Sequence, residues 1–586
     1  MQTSQRLCRI ILSATAGWIA ATIAACGSGM QAPPQISVTL SSGPSQTIAS
    51  GQPLPITAMV VNDLSSRGVT WSLTGPGALG KVTSSSAEYD PPPGLVSNTS
   101  AMVTATSVAD PSKSAASSVT VTIPAFGLIR LSTGALNGGS CQNGTAVEPD
   151  TFAYGSTLVS AFQVSRCFTG GATAIGFATS TDGGSTWTNG LLPGITTFQG
   201  GTSLAVSDPS VAYDAAHGEW LVASIAIVQV DAQNNPLTEQ VLVSRSPDGI
   251  LWDPPISVNP VSVYDKDWIV CDDSAGSPFW GHCYLQWRIS TGLMATSTSA
   301  DGGLTWPAPL QTADKVNGIS GQPLVQPNGT VISPMVKFHV TDVISFNSTD
   351  GGASWNATRE VSPISFHTEA GNLRSSATPS AEMDGAGIVY VVWPDCRFRM
   401  NCSANDLVLS TSSDGVNWTS PARIPIDPVT STVDHFIPGL AVDRATSGGG
   451  AHLTLTYYYY PVADCGMSCD LYVGYVMSDD GGQSWSAPVA MAGPMKLAWL
   501  ANTDSGLMVG DYISTSYLGV LPFAAFAVAG PNSGAAFQEA MYTNGEPLIP
   551  PPAGERFSSA GEKPVPHARP DRPPKEIYPV RRRPPS

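Results

Sequence analysis

Acidic and basic side chains recur at matching places along this 586-residue chain. A phrase opening on an acid and a proline appears as "EPDTFAYG" at Glu148 and "DPSVAYD" at Asp208. Asp265, Asp267, Asp434 and Asp511 stand at the corresponding place in later copies. Arg166, Arg288, Lys337 and Arg397 follow at the end of the next apolar run, and Arg374 precedes the fifth copy. Carboxylates and guanidiniums gathered round one pocket are what a saccharide or another polar ligand requires. The stretch "YVVWPDCRFRMNC", Tyr390 to Cys402, adds a stacking face in Trp393, and Asp395 and Arg397 point the same way because they are two apart at a strand end. "LTYYYYP" is its aromatic counterpart in the sixth copy. For any one of these charges the plainer role is to tie neighbouring elements together.

The elements that must hold these groups are written just as regularly. "STDGGSTW" ends at Trp187, and variants end at Trp252, Trp306, Trp355, Trp418 and Trp485. In this frame Asp accepts hydrogen bonds from the N–H groups of its own turn, Gly allows positive φ, Ser or Thr caps the turn, and Trp drops into an apolar layer. One copy would be a hairpin turn, whereas six make a repeat architecture. With the opening phrase they define a unit of four short strands that recurs through Pro149, Pro209, Trp268, Pro323, Pro379 and Pro438.

The frame resembles the Asp-box (BNR) repeat of sialidases and sialidase-like β-propellers. The resemblance implies an all-β propeller over 126–544, with seven blades favoured over six, because "GLIRLST" (Gly127 to Thr133) supplies the strand that the last unit lacks. It also implies that Asp182, Asp248, Asp301, Asp350, Asp414 and Asp480 shape turns. With strands lettered A to D from the axis outward, these boxes are C-to-D turns at one mouth of the channel. The acids at the A starts and the bases at the B ends then share the other mouth, where calcium is an option for the acids. The ligand-binding set expected there is Arg166, Arg374, Trp393, Asp395, Arg397, Asp208 and Asp434. Sialidases use an arginine trio and a tyrosine nucleophile, which makes Tyr512, Asp395 and Glu148 the catalytic candidates and Arg166, Arg374 and Arg397 a candidate trio. The chain departs from the family where the first inner strand should open on Arg-Ile-Pro, since Glu148-Pro149 stands there and a literal copy, Arg423 to Pro425, falls in an outer strand.

Composition sets the boundaries. With 58 Gly, 49 Pro and 12% charged residues, the chain reads as turn-rich and all-β. Residues 1–25 carry two bases and 551–586 eight bases and four acids, so the body holds 17 bases and 40 acids, which argues against nucleic acid as a partner. Arg6 and Arg9 followed by "IILSATAGWIAATIAA" read as a signal peptide over 1–25. The phrase "IAAC" resembles a bacterial lipobox, which implies lipidation of Cys26, a membrane tether and, with Gly27 following, an outer-membrane address. Eight further cysteines fall in close pairs: Cys141 and Cys167, Cys271 and Cys283, Cys396 and Cys402, Cys465 and Cys469. An even count in an exported chain implies disulfides, with zinc as the rival for the last pair.

After a linker over 26–35, residues 36–123 alternate apolar and polar between Gly, Pro and Ser turns, the pattern of a sandwich. "VTWSL" and "YDPP" resemble bacterial Ig-like (Big-type) domains, with Trp71 and Tyr89 as core and corner residues. The Pro- and Arg-rich stretch over 545–586 has little to bury and is expected to be disordered. Together these readings predict a monomeric, lipid-anchored envelope propeller that recognises glycan or another polar polymer and requires no cofactor. An exo-α-sialidase and a scaffold for protein partners are the alternatives.

Overall fold

The computed structural model describes residues 35–49, 53–91, 99–122, 127–134, 136, 141–230, 236–258, 263–534, 536–549 and 556–565. The signal peptide, Cys26 and most of the linker lie outside these residues, as do 566–586. None of the described helices is long and apolar enough to cross a membrane.

Two four-stranded sheets form the first unit. Their alternating residues bury Ile56, Tyr89, Val103, Val119 and Val121 between them. Tyr89 donates from its hydroxyl to Pro76 O at 2.9 Å, and Trp71 is half-buried with its indole N–H on Thr83 O at 3.1 Å. Both are therefore packing residues.

Seven antiparallel strand groups, called sheets below, make up the rest together with one small hairpin; the first two groups are joined by the Ala172–Val206 pair. Their innermost strands are Ala146–Tyr154, Ala205–Asp214, Val263–Cys271, the pair Gly318–Ile319 and Leu324–Val325, Ser380–Met383, Asp434–Val442, and Ser514–Leu518. Each inner strand packs on the next, and the last packs on the first, so the sheets close a ring. The seventh sheet is completed by Leu128–Arg130, which pairs with Ala536–Asn544 from the far end of the domain. Closing the ring with a strand from each terminus removes the free edge that an open array would expose.

The inner strands share a device. Glu148, Asp208, Lys266, Ser320 and Ile437 all have φ between 48° and 56°. In four of these sheets a β-bulge falls at the same place. A bulge sets two residues against one and re-aims the side chains beside it. Because the strained conformation recurs round the ring, it belongs to the architecture rather than to one active centre.

The six Asp boxes form the turns expected of them. At the first, Asp182 accepts the Thr186 N–H at 2.9 Å and its hydroxyl at 2.6 Å, and Ser180 Oγ accepts the Gly184 N–H at 2.8 Å. The Trp187 indole then donates to Gly184 O at 3.2 Å. The boxes also join sheets, since Thr179 donates to Gly249 O and Ser345 to Gly415 O in the following unit. All eight paired cysteines form disulfides in the order the spacing suggests, so zinc has no place at Cys465 and Cys469.

Part of the stretch expected to be disordered is ordered. Residues 556–565 form a strap along the outside of the fifth and sixth sheets. Phe557 exchanges backbone hydrogen bonds with Trp485, Arg556 pairs with Asp479, Glu562 lies 3.6 Å from Arg423, and the Val565 N–H reaches Arg397 O. Composition missed this because the strap is held by edge backbone groups and ion pairs rather than by a hydrophobic face.

Candidate functional site

Most of the charged ring assembles at the mouth opposite the Asp boxes, and it assembles as a closed lattice. Arg374 forks onto Asp511, with Nε donating to Oδ1 at 2.7 Å and Nη2 to Oδ2 at 2.5 Å. Glu148 accepts from the Gln163 amide and from the Asp511 N–H at 3.2 Å. Asp208 accepts the backbone N–H of Lys266 at 3.2 Å. Arg166 donates to Cys167 O and Gly171 O at 2.6 Å and reaches Met508 Sδ at 3.2 Å. Burial, aided by the neighbouring Arg374 guanidinium, holds Arg166 down to about 10. Burial raises Glu148 well above the usual carboxylate range, helped by Asp511 and Asp208. For Asp511 burial works upward, but the Arg374 guanidinium outweighs it and keeps the carboxylate low.

Below this lattice the Lys266 ammonium lies 3.1 Å from the centroid of the Tyr512 ring and 4.6 Å from that of Trp268. Such a cation–π contact favours a desolvated ammonium, although burial still lowers the Lys266 pKa. Tyr512 is buried and donates from its hydroxyl to Pro209 O at 3.1 Å. Burial and then Glu148 push the phenol well above its ordinary range, which opposes a phenolate at neutral pH. The chamber here has a volume of about 20 Å³. That is room for a water molecule or so.

What closes this mouth is a hairpin that sequence periodicity did not single out. Strands Ala501–Thr503 and Gly506–Met508 lie in the connection from the sixth sheet to the seventh. Leu507 pairs with Leu373 in the connection from the fourth sheet to the fifth, and the Arg374 N–H donates to Leu507 O at 2.6 Å. On the other side Gln142 exchanges two hydrogen bonds with Asn502, and the Asp504 N–H meets Phe168 O. Connections from across the ring thus meet over the acids.

The remaining predicted site residues lie apart from this lattice. Trp393 has no exposed surface, so it cannot offer the stacking face expected of it. Its indole donates to Asp395 at 3.2 Å, and Arg397 forks onto the same carboxylate at 2.9 and 2.5 Å. Tyr457, Tyr458, Tyr459 and Tyr460 are likewise core residues, at 1% exposure or less. Alternation fails to mark them because their strand is covered on both faces. Asp434 accepts the Asn405 N–H at 2.7 Å and contacts His367 at 3.2 Å. It raises the neighbouring Glu369, whose larger push comes from burial. Arg166, Arg374 and Arg397 therefore do not converge as free donors on one open pocket.

Among the described residues Asp406, Asp427 and His435 form a grouping with metal-ligand potential. Two guanidiniums already occupy it. Arg399 lies 2.6 Å from both carboxylates, and Arg423 lies 2.9 Å from Asp406 and 2.8 Å from Asp427. Arg423, the first residue of the literal Arg-Ile-Pro, thus serves an outer strand.

Among the described residues an open space lies at the Asp-box mouth. There a funnel of about 440 Å³ is lined by inner-strand ends and A-to-B turns of six of the seven sheets. Phe152, Tyr154 and Tyr517 present rings, Asp273 and Glu382 present carboxylates, and Arg444 stands at the rim. The sequence reading passed over these turns because it placed the working residues at the other end.

Against known proteins, no family model and no curated protein matches the chain. Among solved structures it is similar to the Hadza microbial sialidase Hz136 at 13% identity, over 78% of this chain and 75% of that one, with a TM-score of 0.37. A protein of unknown function from Dyadobacter fermentans shares 15% identity over 61% of this chain and all of that one, at 0.39. The NanB sialidase of Streptococcus pneumoniae shares 15% over 72% and 70%, at 0.36. The neighbours are sialidase-like in fold, and at these scores no residue role follows from them.

Proposed function

We propose that this chain is an exported, membrane-tethered propeller that binds glycan or another polar polymer without cleaving it. One observation carries the choice against hydrolysis. The candidate nucleophile Tyr512 is buried beneath a closed lattice, its hydroxyl is committed to Pro209 O, and the chamber beside it has only about 20 Å³. A sugar ring cannot reach it there. Four disulfides fit an oxidising compartment outside the cytoplasm, in keeping with the lipobox-like Cys26 and an outer-membrane address. The acidic body speaks against nucleic acid, and a monomer is the simplest state for a ring that closes on itself.

The test is a glycan array run beside a fluorogenic sialoside assay on the mature chain. Binding without turnover is the expected result. Turnover lost on Tyr512→Phe would replace this reading with the exo-α-sialidase. Silence in both assays together with a captured protein would favour the scaffold.

A further inference from the structure

Resting on the reading that the propeller binds a glycan, we propose that the site is the funnel at the Asp-box mouth and that its ligand is an amine-bearing saccharide. A volume of about 440 Å³ is that of a small-molecule site, and the funnel is built from the ends of paired strands, which hold their shape without ligand. Its rings are placed for a sugar face. Tyr154 is 42% exposed and is backed by Tyr213 at a centroid distance of 4.3 Å, which fixes its plane.

The charges select the amine. Of four lining carboxylates, two are committed to backbone N–H groups of turns. Asp384 accepts the N–H groups of Ala386, Ile388 and Gly448, and Asp443 accepts that of Ala445. Asp273 and Glu382 are not spent in this way. Asp273 Oδ1 accepts the Ala215 N–H at 2.9 Å, while its Oδ2 is buried and accepts no hydrogen bond among the described residues. A buried acceptor without a donor is costly, and a ligand N–H would offset that cost once the Asp273 side chain turns Oδ2 toward the funnel. Glu382 lies 3.6 Å from Arg444, whose side chain is 40% exposed and also stands over the Phe152 ring, 5.8 Å from its centroid. Burial pushes Asp273 up to about 7 and raises Glu382 as well, each opposed by the Arg444 guanidinium, so the two carboxylates share one cation and are short of a second. An ammonium would supply it and would also lie favourably against the ring faces. A carboxylate-bearing sugar would face an acid excess with Arg444 alone in its favour.

Titrating the mature chain with a glucosamine oligosaccharide, its N-acetylated counterpart and a sialylated oligosaccharide tests this by calorimetry. The free-amine oligomer binds, and acetylation weakens it about tenfold or more, as does Glu382→Gln or Asp273→Asn. Tyr154→Ala weakens all saccharides together, and each variant keeps the circular dichroism of the parent. Equal binding of the acetylated oligomer, or an unchanged Glu382→Gln, overturns the assignment and leaves glycan binding standing. If none of the three oligosaccharides binds and the glycan array is silent, both readings fall.

Discussion

Arg374 and Asp511 meet in a two-pronged ion pair at 2.7 and 2.5 Å although 137 residues separate them, and Glu148 accepts the Asp511 N–H beside it. The pair fastens the connection into the fifth sheet to the start of the seventh beneath the hairpin. A guanidinium available to a substrate carboxylate would not be committed in this way, so its first role is to hold the ring shut.

Replacing it should therefore cost stability rather than affinity. Arg374→Leu leaves Asp511 and Glu148 buried without their cation, a change worth about 3–5 kcal/mol. Urea unfolding should show the loss, while saccharide binding by the folded fraction stays at the parent value. A stable variant that has lost binding would return the site to this mouth.

Tyr512→Phe keeps the ring under the Lys266 ammonium and removes only the hydroxyl bonded to Pro209 O. The expected cost is about 1 kcal/mol of stability, with no change in ligand affinity by calorimetry.

Stability should be greatest in mildly acidic solution. Burial raises Asp150 to about 7 against hydrogen bonds from the Val211 and Thr151 backbone, while the unfolded value is about 3.9. The folded state therefore holds this proton more tightly. The contribution is fully present below about pH 4 and is lost as pH rises through about 7. Asp150→Asn should flatten that decline and raise stability at pH 8 by no more than about 4 kcal/mol. The turn aspartates act oppositely. For Asp414 burial works upward, but bonds from the Asn417 N–H and side chain prevail and bring it to about 2. Its contribution is present above about pH 4 and fades as pH falls through 2. Denaturant midpoints at pH 3, 4, 6 and 8 should trace both limbs, and Asp414→Asn should soften only the acid one.

Removing residues 550–586 takes away the strap. Arg423 would keep Asp406 and Asp427 but lose Glu562, and Trp485 would lose its backbone partner Phe557. The truncated chain should fold, melt a few degrees lower and bind saccharide as before. An unchanged melting temperature would show that the strap contributes nothing in solution.

Much of the fold was legible in the residues. The Asp boxes announce themselves because their hydrogen bonds are local, from Ser180 to Thr186 and in five similar copies, so the residue types alone specify the turn. The cysteine pairs were readable for the same reason of proximity, and "GLIRLST" was readable as the strand missing from the last sheet.

The site was not legible, because charge along a chain does not say whether the side chain ends in solvent or in a lattice. Glu148, Arg166 and Arg374 lie in the lattice with Asp511, and Asp208 accepts from Lys266 beside it. That the mouth is covered depends on Leu507 meeting Leu373, a contact that no local pattern encodes. Trp393 reads as a sugar platform and is core, since its strand, Val389–Asp395, lies second in its sheet and is covered on both faces by neighbouring sheets. The sequence alone determined a repeating β unit, its turns and its closure into a ring, all consequences of short-range backbone chemistry. Only the tertiary structure decided which end of the ring is sealed and which is open, because that choice is made by connections from distant sheets meeting across the axis.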